Sequence, residues 1–490
     1  MIALAEERLV ERVVATARAG GHEAGELGSR VHACVEESVA LEVEEARPGE
    51  GLDLLPGEQR PLAVLSPQDR RGLGPARLDV VPGRRRRSRA GGAEVPLRKL
   101  GRSAREAWEV PRDLLLRRYP PFVTGGELPR GDVPVFVFHG AEPASFSRRL
   151  EHLAENGYVT LSADEYAAVI REEREPPERA VVLTFDDGRG SVWSVAAPLL
   201  RKHGMKAVVF LVPGRIASRP GPGAPTWDDV QAGRAEAAAV LKREDGEGAL
   251  LSWEEIEALA RTGLFDFQSH TLFHARVHTG PQLAGFVTPR SRRGYDAFDQ
   301  ALLREGDRDL LGEEAPLGTP LLRSAPRTSE ALRFFEDPGV RAACVAEVES
   351  QGGEGFFARS DWEPRLRRLF GRAHVQGRVE TAEEREGAIH RELAESRRLI
   401  EARLGRPVVH LCYPWHAAGP TAVRLAAEAG YGTAFCGKVA GVPITRPGGD
   451  LRSVARVGED YVELLPGRGR ASLVEVLRRK WGRRFGGAVP

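Results

Sequence analysis

The sequence has few cysteines, almost no net charge and no long apolar run, and each of these absences excludes a class of protein. The four cysteines are scattered and form no CxxC pair; they are Cys34, Cys344, Cys412 and Cys436. This spacing excludes a disulfide framework and a thiolate zinc site. The formal net charge of +1 gives no reason to expect a nucleic acid as partner. No apolar stretch approaches the length of a membrane span.

A secretion signal is also missing from the N-terminus as written. Acidic residues come early in Met1–Arg8, whereas a signal peptide begins with basic and then apolar residues. We therefore expect a cytoplasmic protein from this sequence. With 41% hydrophobic and 29% charged residues, the composition is that of a globular protein. A length of 490 residues suits either two or three domains or one large barrel with appendages.

Composition divides the chain into four parts. Residues 1–82 begin with a predicted helix but then show only weak periodicity, so no function is assigned to them. Residues 83–131 are a lead-in segment whose basic run, Arg84–Arg89, is more typical of a solvated linker than of a phosphate or nucleic-acid site. Residues 132–460 alternate between apolar strands and amphipathic helices, and residues 461–490 form a basic tail with one predicted helix.

The alternation within residues 132–460 predicts a parallel α/β arrangement. One long helix is expected to begin at Thr381, with Glu384 in the capping-box position, and to end at Gly405. The stretch of about 279–380 breaks the alternation, because it is rich in Arg, Glu, Gly and Pro. We expect it to be an insertion of short helices and loops.

The strand predicted at Ala180–Phe185 ends in two adjacent carboxylates, Asp186 and Asp187, followed by Gly188. Neighbouring anions repel each other unless something positive is shared between them, so this pair indicates a metal site or an acid–base role. Asp and Gly are also ordinary turn residues. Taken alone, the motif fits a solvated turn equally well.

Polar residues follow the ends of four predicted strands rather than one. These residues are His139-Gly140, Asp186–Gly188, Ser269–His274 and Tyr413–His416. In a (β/α) barrel, the C-terminal ends of all the strands open onto one face, and active sites are built there from the loops. Agreement among four strand ends is the strongest indication of a functional site in the sequence, because it does not depend on any single motif.

The histidines at positions 270 and 274 are four residues apart, which predicts two imidazoles on one side of a helical turn. Two imidazole nitrogens and one carboxylate suit a tetrahedral divalent ion, with water at the fourth position. Histidine pairs of this spacing are often structural, and here the nearby Asp-Asp pair favours the metal interpretation. His278 continues the spacing and is a competing ligand further from the strand end.

Thr184–Gly188 and His270–His274 together resemble the first two motifs of the polysaccharide deacetylases, the NodB-homology or carbohydrate esterase family 4 enzymes. The resemblance covers roughly residues 132–460. It implies a deformed (β/α) barrel and the metal-dependent removal of acetyl groups from N-acetylated sugars or polysaccharides. Members of this family are often extracytoplasmic, in contrast to the location expected from the N-terminus.

Carried onto this sequence, the resemblance makes Asp187, His270 and His274 the ligands of a divalent metal, usually Zn²⁺. It makes Asp186 the general base that takes a proton from the attacking water.

The third motif of the family resembles Tyr413-Pro414-Trp415, which the resemblance therefore assigns to substrate binding. In the family, an aromatic side chain of this motif lines the sugar groove, and a backbone N–H helps to hold the oxyanion. The amide of Tyr413 is the expected donor here. The two aromatic rings are equally compatible with a place in the core.

Two features depart from the usual family pattern. The general-acid histidine usually lies in a late Leu-x-His segment, but no histidine follows His416. His139 instead precedes the Asp-Asp motif, an order similar to the circularly permuted branch that includes deacetylases of poly-N-acetylglucosamine. We therefore expect His139 to be the general acid, although a strand-end histidine can also serve only as a hydrogen-bonding group. The third motif also lacks its usual arginine, and Arg456 is expected to orient Asp186 in its place.

Two other functions remain open from the sequence. One is a carbohydrate-binding barrel that has lost its activity. The other is a metal-dependent amidohydrolase acting on a nucleobase, a small N-acyl compound or a glycolipid. The presence of all the metal ligands argues against the first alternative, whereas the insertion and the missing export signal support the second.

Overall fold

The computed structural model describes residues 112–113, 118–218, 223–245, 248–373, 375–439 and 441–485. The predicted region 1–82, its N-terminal helix and the basic run of the linker lie outside these residues. The division of the chain into four parts therefore stays a prediction for its N-terminal portion.

The main element is a parallel sheet, and its strands are β1 Val135–Phe138, β2 Val159–Thr160, β3 Ala180–Phe185, β4 Ala207–Leu211, β5 Phe265–Ser269, β12 His410–Cys412, β13 Thr433–Phe435 and β14 Val457–Gly458. A short strand, β2, pairs with the first residues of β3. The other seven strands follow the order β13-β12-β5-β4-β3-β1-β14 across the sheet. Every residue of β3 and β4 is buried, as expected for strands covered on both faces.

The two ends of this strand order meet. Val454 lies three residues before β14 and forms a parallel bridge with Phe435 of β13, while Val457 pairs with Phe136 of β1. The segment leading into β14 therefore connects β13 with β14, the two ends of the strand order, and closes the sheet into an irregular ring. The deformed (β/α) barrel predicted from the sequence is confirmed.

Helices connect the strands and cover the outside of the sheet. The α-helices of the described residues are α1 Pro143–Glu155, α2 Ala163–Ile170, α3 Ala197–His203, α4 Trp227–Gln231, α5 Ala237–Leu241, α6 Trp253–Ala260, α7 Gly294–Phe298, α8 Pro338–Ser350, α9 Trp362–Arg372, α10 Ala382–Leu404, α11 Pro420–Glu428 and α12 Leu473–Phe485. A π-helical turn, Val192–Ala196, leads directly into α3. None of the helices in the described part of the chain combines the length and the apolar character needed to cross a membrane.

The capping predicted for the long helix α10 is confirmed. The Thr381 hydroxyl accepts a hydrogen bond from the Glu384 amide, and the Glu384 carboxylate accepts one from the Thr381 amide. At the other end, Gly405 has a φ of 62°, the left-handed conformation in which helices commonly stop. This helix packs against β5 and so supports the strand that ends directly before His270.

The stretch predicted as an insertion of helices and loops also contains strands, which the sequence did not indicate. In the described part of the chain, three antiparallel pairs lie outside the main sheet: β6 Arg276–Phe286 with β9 Pro320–Pro326, β7 Leu303–Glu305 with β8 Arg308–Leu310, and β10 Phe334–Glu336 with β11 Gly377–Val379. Gly280, Pro281 and Gly285 argue against a strand in the sequence of β6. The register shifts between His278 and Gly285 accommodate these residues as an irregularity in the ladder.

Candidate active site

The carboxyl ends of the parallel strands bring the predicted polar residues to one face of the sheet. Strands β1 and β3 are in register, with Phe138 opposite Phe185, and the Asp186 amide donates to the Phe138 carbonyl at 2.9 Å. His139 therefore follows its strand at the same level as Asp186. Strand β5, which ends before His270, pairs with β4 and β12 on the other side of β3.

Asp187, His270 and His274 form a buried cluster. Oδ1 of Asp187 lies 3.6 Å from Nε2 of His270 and 3.7 Å from Nε2 of His274. One ligand atom from each residue can be chosen so that all three lie within 4.8 Å of one another. The three residues are only 3%, 2% and 5% exposed, so the cluster is largely removed from bulk water.

The expectation that the two histidines share a helical turn is wrong. Residues 270–274 form a bent loop, in which Thr271 and His274 have φ values of 64° and 54°. Residues with these positive φ angles cannot be part of a right-handed helix, which requires negative φ angles. The loop nevertheless brings the two imidazoles together, with ring centroids 5.0 Å apart.

The hydrogen bonds of the two histidines fit a metal site. Nδ1 of His270 is 2.8 Å from the Cys412 carbonyl oxygen, which only a protonated Nδ1 can bond, and Nε2 faces Asp187 in the cluster. Nδ1 of His274 is buried and has no hydrogen-bond partner among the described residues. Burial, and next the neighbouring His270, hold the pKa of His274 well below its usual range, so its ring is neutral. Two imidazoles and a carboxylate suit Zn²⁺ or a similar divalent ion.

His278 does not belong to this cluster. It lies inside the β6–β9 ribbon, where Nε2 accepts from the Leu322 amide at 3.4 Å and Nδ1 lies 3.4 Å from Glu336 Oε2. Both ring nitrogens therefore have partners within the insertion, which accounts for this histidine as a structural residue.

Asp186 lies beside the cluster but is held by an arginine. Arg456 donates from Nη1 to Oδ1 at 2.7 Å and from Nη2 to Oδ2 at 2.8 Å, and both side chains are buried. Burial alone would raise the pKa of Asp186, but the Arg456 guanidinium outweighs it and holds the pKa well below its usual range. Asp186 is therefore ionised at neutral pH. The sequence predicts this contact, and the structure contains it.

Further bonds fix the Arg456 side chain. Its Nε donates to the Cys436 carbonyl at 2.7 Å, and Nη1 also donates to the Thr184 hydroxyl at 3.0 Å. Nη2 lies 3.0 Å from the Cys412 sulfur and 3.4 Å from Nδ1 of His416. Because its donors are engaged on several elements, the guanidinium has little freedom to turn away from Asp186.

The turn that follows Asp187 depends on a glycine. Gly188 has a φ of 66°, and a Cβ at this position would lie 2.9 Å from a methyl carbon of Leu211. Any other residue would combine a strained backbone with a steric clash against β4. The turn carries Asp187 itself in a left-handed conformation, with φ of 68°.

His139 is exposed at the end of β1. Its charge contributes to the lowering of the Asp186 pKa and to that of the His274 pKa, although it is a minor contributor to each. The structure thus places His139 within electrostatic range of both residues. Its role as general acid stays a prediction.

The predicted third motif is only partly open to the cleft. The Tyr413 amide donates to the Phe435 carbonyl at 3.2 Å, so the expectation that it serves as a free oxyanion donor is wrong. The bond extends the parallel pairing of β12 with β13, which the sequence of β12 alone does not reveal. The Tyr413 side chain is 1% exposed and belongs to the main core, and Pro414 is buried as well.

Trp415 is the member of this motif that contacts the cluster of Asp187, His270 and His274. It has a φ of 50°, and its ring centroid lies 3.9 Å from that of His274. The guanidinium carbon of Arg276 lies 4.8 Å from the centre of the Trp415 ring. Trp415 therefore packs against a predicted ligand, and part of its ring surface is already covered.

Residues of the insertion that lie beside the site were not predicted from the sequence. Phe298 packs against His274 with ring centroids 4.7 Å apart, and Tyr295 lies under the guanidinium of Arg189 at 3.5 Å. The pKa of Asp299 is raised, first by burial and then by the charge of Asp187. Only Arg189 had a local signal, because it directly follows the Asp-Asp-Gly motif; the others approach through the folding of a distant segment.

Comparison with known proteins identifies the central part of this site. Residues 173–293 match the family model described as polysaccharide deacetylase. This segment contains the Asp-Asp motif and both clustered histidines, but neither His139 nor the residues from Tyr413 onward. The resemblance recognised in the sequence, to deacetylases of the NodB-homology type, is confirmed for this segment.

A curated relative and several solved structures share this similarity. The protein "Putative polysaccharide deacetylase YxkH" of Bacillus subtilis (strain 168) is 31% identical over 88 residues, which are 16% of this chain and 32% of that protein. The match thus spans about a third of the length of this relative.

Among solved structures, a de-N-acetylase from Aggregatibacter actinomycetemcomitans is 15% identical, with a TM-score of 0.39 over 66% of this chain and 94% of that one. IcaB from Ammonifex degensii is 17% identical, with a TM-score of 0.38 over 68% of this chain and 96% of that one. Both scores are low, and the fold assignment rests on the strand order and register described above.

Proposed function

We propose that this protein is a metal-dependent hydrolase that removes acetyl groups from N-acetylated sugars or polysaccharides. The observation that carries the proposal is the buried cluster of Asp187, His270 and His274 next to an ionised Asp186 held by Arg456. The match of residues 173–293 to the polysaccharide deacetylase family supports the same activity.

In this proposal, Asp187, His270 and His274 bind one divalent ion, most simply Zn²⁺, because the site offers two imidazole nitrogens and one carboxylate. When bound, such an ion polarises a carbonyl group and makes a water molecule more acidic. The hydrogen bond from His270 to the Cys412 carbonyl orients that ring and supports its role as a ligand.

Asp186 is the proposed general base. It is ionised at neutral pH, and Arg456 fixes both of its oxygens in position beside the cluster. A carboxylate held in this way can accept the proton of an attacking water without first having to turn. Arg456 is a positioning residue in this scheme, because it acts through Asp186.

His139 is the proposed general acid. An amine is a poor leaving group until it is protonated, so breaking the acetamide bond requires a proton donor in the cleft. His139 lies at the end of β1, level with Asp186, and is exposed to an incoming substrate. Trp415, which packs against His274, is the proposed apolar surface for a sugar ring.

The test is the release of acetate from a panel of substrates by the purified full chain. The panel contains N-acetylglucosamine, its β-1,4 and β-1,6 oligomers and N-acetyl compounds without a sugar. We expect acetate together with a free amine from the sugars, and a bound divalent metal in the active protein. Metal with hydrolysis of only the non-sugar compounds contradicts the substrate class, and the absence of any bound metal contradicts the mechanism.

A further inference from the structure

Arg189 lies directly after the turn that carries the predicted metal ligand Asp187, and its backbone is fixed from outside that turn. Arg189 forms an antiparallel bridge with Leu250. The Gly190 amide donates to the Ala249 carbonyl at 2.8 Å, and the Leu251 amide donates to the Gly188 carbonyl at 2.8 Å. The position from which the Arg189 side chain extends is therefore set by a second segment of the chain.

The guanidinium of Arg189 is shared between two carboxylates and an aromatic ring. Nε donates to Asp187 Oδ2 at 3.3 Å, and Nη1 lies 3.6 Å from Glu244 Oε2. The guanidinium carbon also lies 3.5 Å from the centre of the Tyr295 ring, a close cation–π contact. The side chain is 23% exposed, so water screens these interactions only in part.

These contacts divide the two oxygens of Asp187 between two partners. Oδ1 faces the imidazoles of His270 and His274, whereas Oδ2 faces Arg189. A carboxylate held in this way presents one oxygen to an ion in the cluster. A fixed positive charge also stands on the far side of that carboxylate, where it opposes the binding of a cation.

We infer that Arg189 limits how tightly this site holds a divalent metal ion, an inference that rests on the proposed metal-binding function of the cluster. The arginine partly neutralises Asp187 and restricts it to one coordinating oxygen. Both effects lower the affinity below that of the same three ligands without the arginine. Arg189 is thus a positioning residue that acts on the metal through Asp187.

The inference also gives a role to part of the insertion. Tyr295 belongs to α7, within the insertion, and its ring is the surface against which the guanidinium packs. Its hydroxyl donates to the Ala249 carbonyl at 3.2 Å, next to the residue that pairs with Arg189. The insertion therefore helps to keep the arginine against Asp187.

The test is the dissociation constant for Zn²⁺, measured by competition with a chromophoric chelator on the full chain. We expect Arg189→Gln to bind Zn²⁺ about tenfold more tightly than the unchanged protein, because a charge that opposes the ion has been removed. Arg189→Lys keeps that charge and is expected to stay within about threefold of the unchanged protein. Arg201→Gln is the matched control, because Arg201 lies on α3 and pairs with the exposed Asp228 instead.

Local damage to the site would weaken metal binding, so tighter binding distinguishes this role from a merely structural one. An Arg189→Gln variant that binds Zn²⁺ equally well or more weakly, while it unfolds at the usual temperature, overturns the inference and leaves the proposed function intact. An unchanged protein that binds no divalent ion overturns both.

A second pair of variants keeps the test decisive if Arg189→Gln does not fold. Tyr295→Leu removes the surface under the guanidinium but keeps every charge, and we expect tighter Zn²⁺ binding by about threefold because the arginine is released from Asp187. Tyr295→Phe keeps the ring and should leave the affinity unchanged. Equal affinities in these two variants contradict the inference.

Discussion

Arg456 holds both carboxylate oxygens of Asp186, at 2.7 and 2.8 Å, in a buried pair that joins the segment before β14 to the end of β3. The same segment joins the two ends of the sheet through the bridge between Val454 and Phe435. The interaction that keeps the proposed base ionised and oriented is therefore also part of the closure of the barrel. This double role leads to the first prediction.

Arg456→Met should reduce both stability and activity. It leaves a buried carboxylate without its partner, which costs on the order of 3–5 kcal/mol of unfolding free energy. Asp186→Asn combined with Arg456→Met should cost less than the sum of the two single changes, because the pair is then removed together. Urea unfolding of all four proteins measures this coupling. Additive free energies would show that the pair contributes no coupling.

Asp186→Asn should abolish turnover but retain the metal. The amide cannot accept the proton of water, whereas the ligand set of Asp187, His270 and His274 is unchanged. We expect acetate release to fall by about 10²–10⁴-fold, with the Zn²⁺ content per chain unaltered. A fully active variant would mean that Asp186 is not the base.

His139→Gln should impair reactions according to their leaving group. Hydrolysis of an N-acetyl sugar needs protonation of the departing amine and should slow by about 10²–10⁴-fold. The aryl oxide of an aryl acetate leaves without a proton, so hydrolysis of that ester should be affected much less. His416→Gln is the control, because His416 is a second imidazole of the cleft and lies 3.4 Å from Arg456. If His416→Gln changes the ratio of the two rates and His139→Gln does not, then His416 is the acid.

His152 gives the fold a dependence on pH that is separate from the active site. It is buried on α1, and Nε2 donates to the Leu465 carbonyl at 3.1 Å. Nδ1 accepts from the Asn156 amide group at 3.4 Å, so protonation of the ring would place two donors face to face. Burial holds the pKa of His152 below its usual range and outweighs the Leu465 bond, which acts in the opposite direction.

Because the pKa is lower in the folded state, the unfolded chain binds the proton more readily. The stability is thus fully present above the usual histidine pKa of about 6.5 and falls as the pH drops below it, by up to about 1.4 kcal/mol per pH unit. Unfolding free energies at pH 5.5 and 7.5 should show this loss in the unchanged protein and a smaller loss in His152→Gln. Equal losses in the two proteins would mean that His152 does not contribute.

The sequence was sufficient to predict the four strands that end at the site, the capping of α10 and the proximity of the Asp-Asp pair to His270 and His274, because each follows from a local pattern or from the shared direction of parallel strands. The bent loop at residues 270–274 could not be predicted, since left-handed conformations at Thr271 and His274 leave no mark on hydrophobic spacing. The engagement of the Tyr413 amide depends on the neighbouring strand β13.

Contacts between distant segments were the least predictable part of the site. Tyr295 and Phe298 reach the site only because the insertion folds against it. The strands within the insertion were not predicted because its sequence is rich in glycine, proline and arginine. The Arg456–Asp186 pair was predicted by analogy with the arginine that the third motif usually carries. Its geometry, in which one guanidinium donates to both carboxylate oxygens, could be determined only from the structure.

The measurement that tests the proposed function most directly is acetate release from N-acetylglucosamine oligomers by the chelator-treated full chain, before and after stoichiometric Zn²⁺ is restored. We predict no release without metal, recovery after about one ion per chain is bound, and no recovery in a His270→Ala/His274→Ala variant, which lacks two of the three ligands. Undiminished release from the metal-free protein, or equal recovery in the double variant, would contradict the central claim that this cluster binds a catalytic metal.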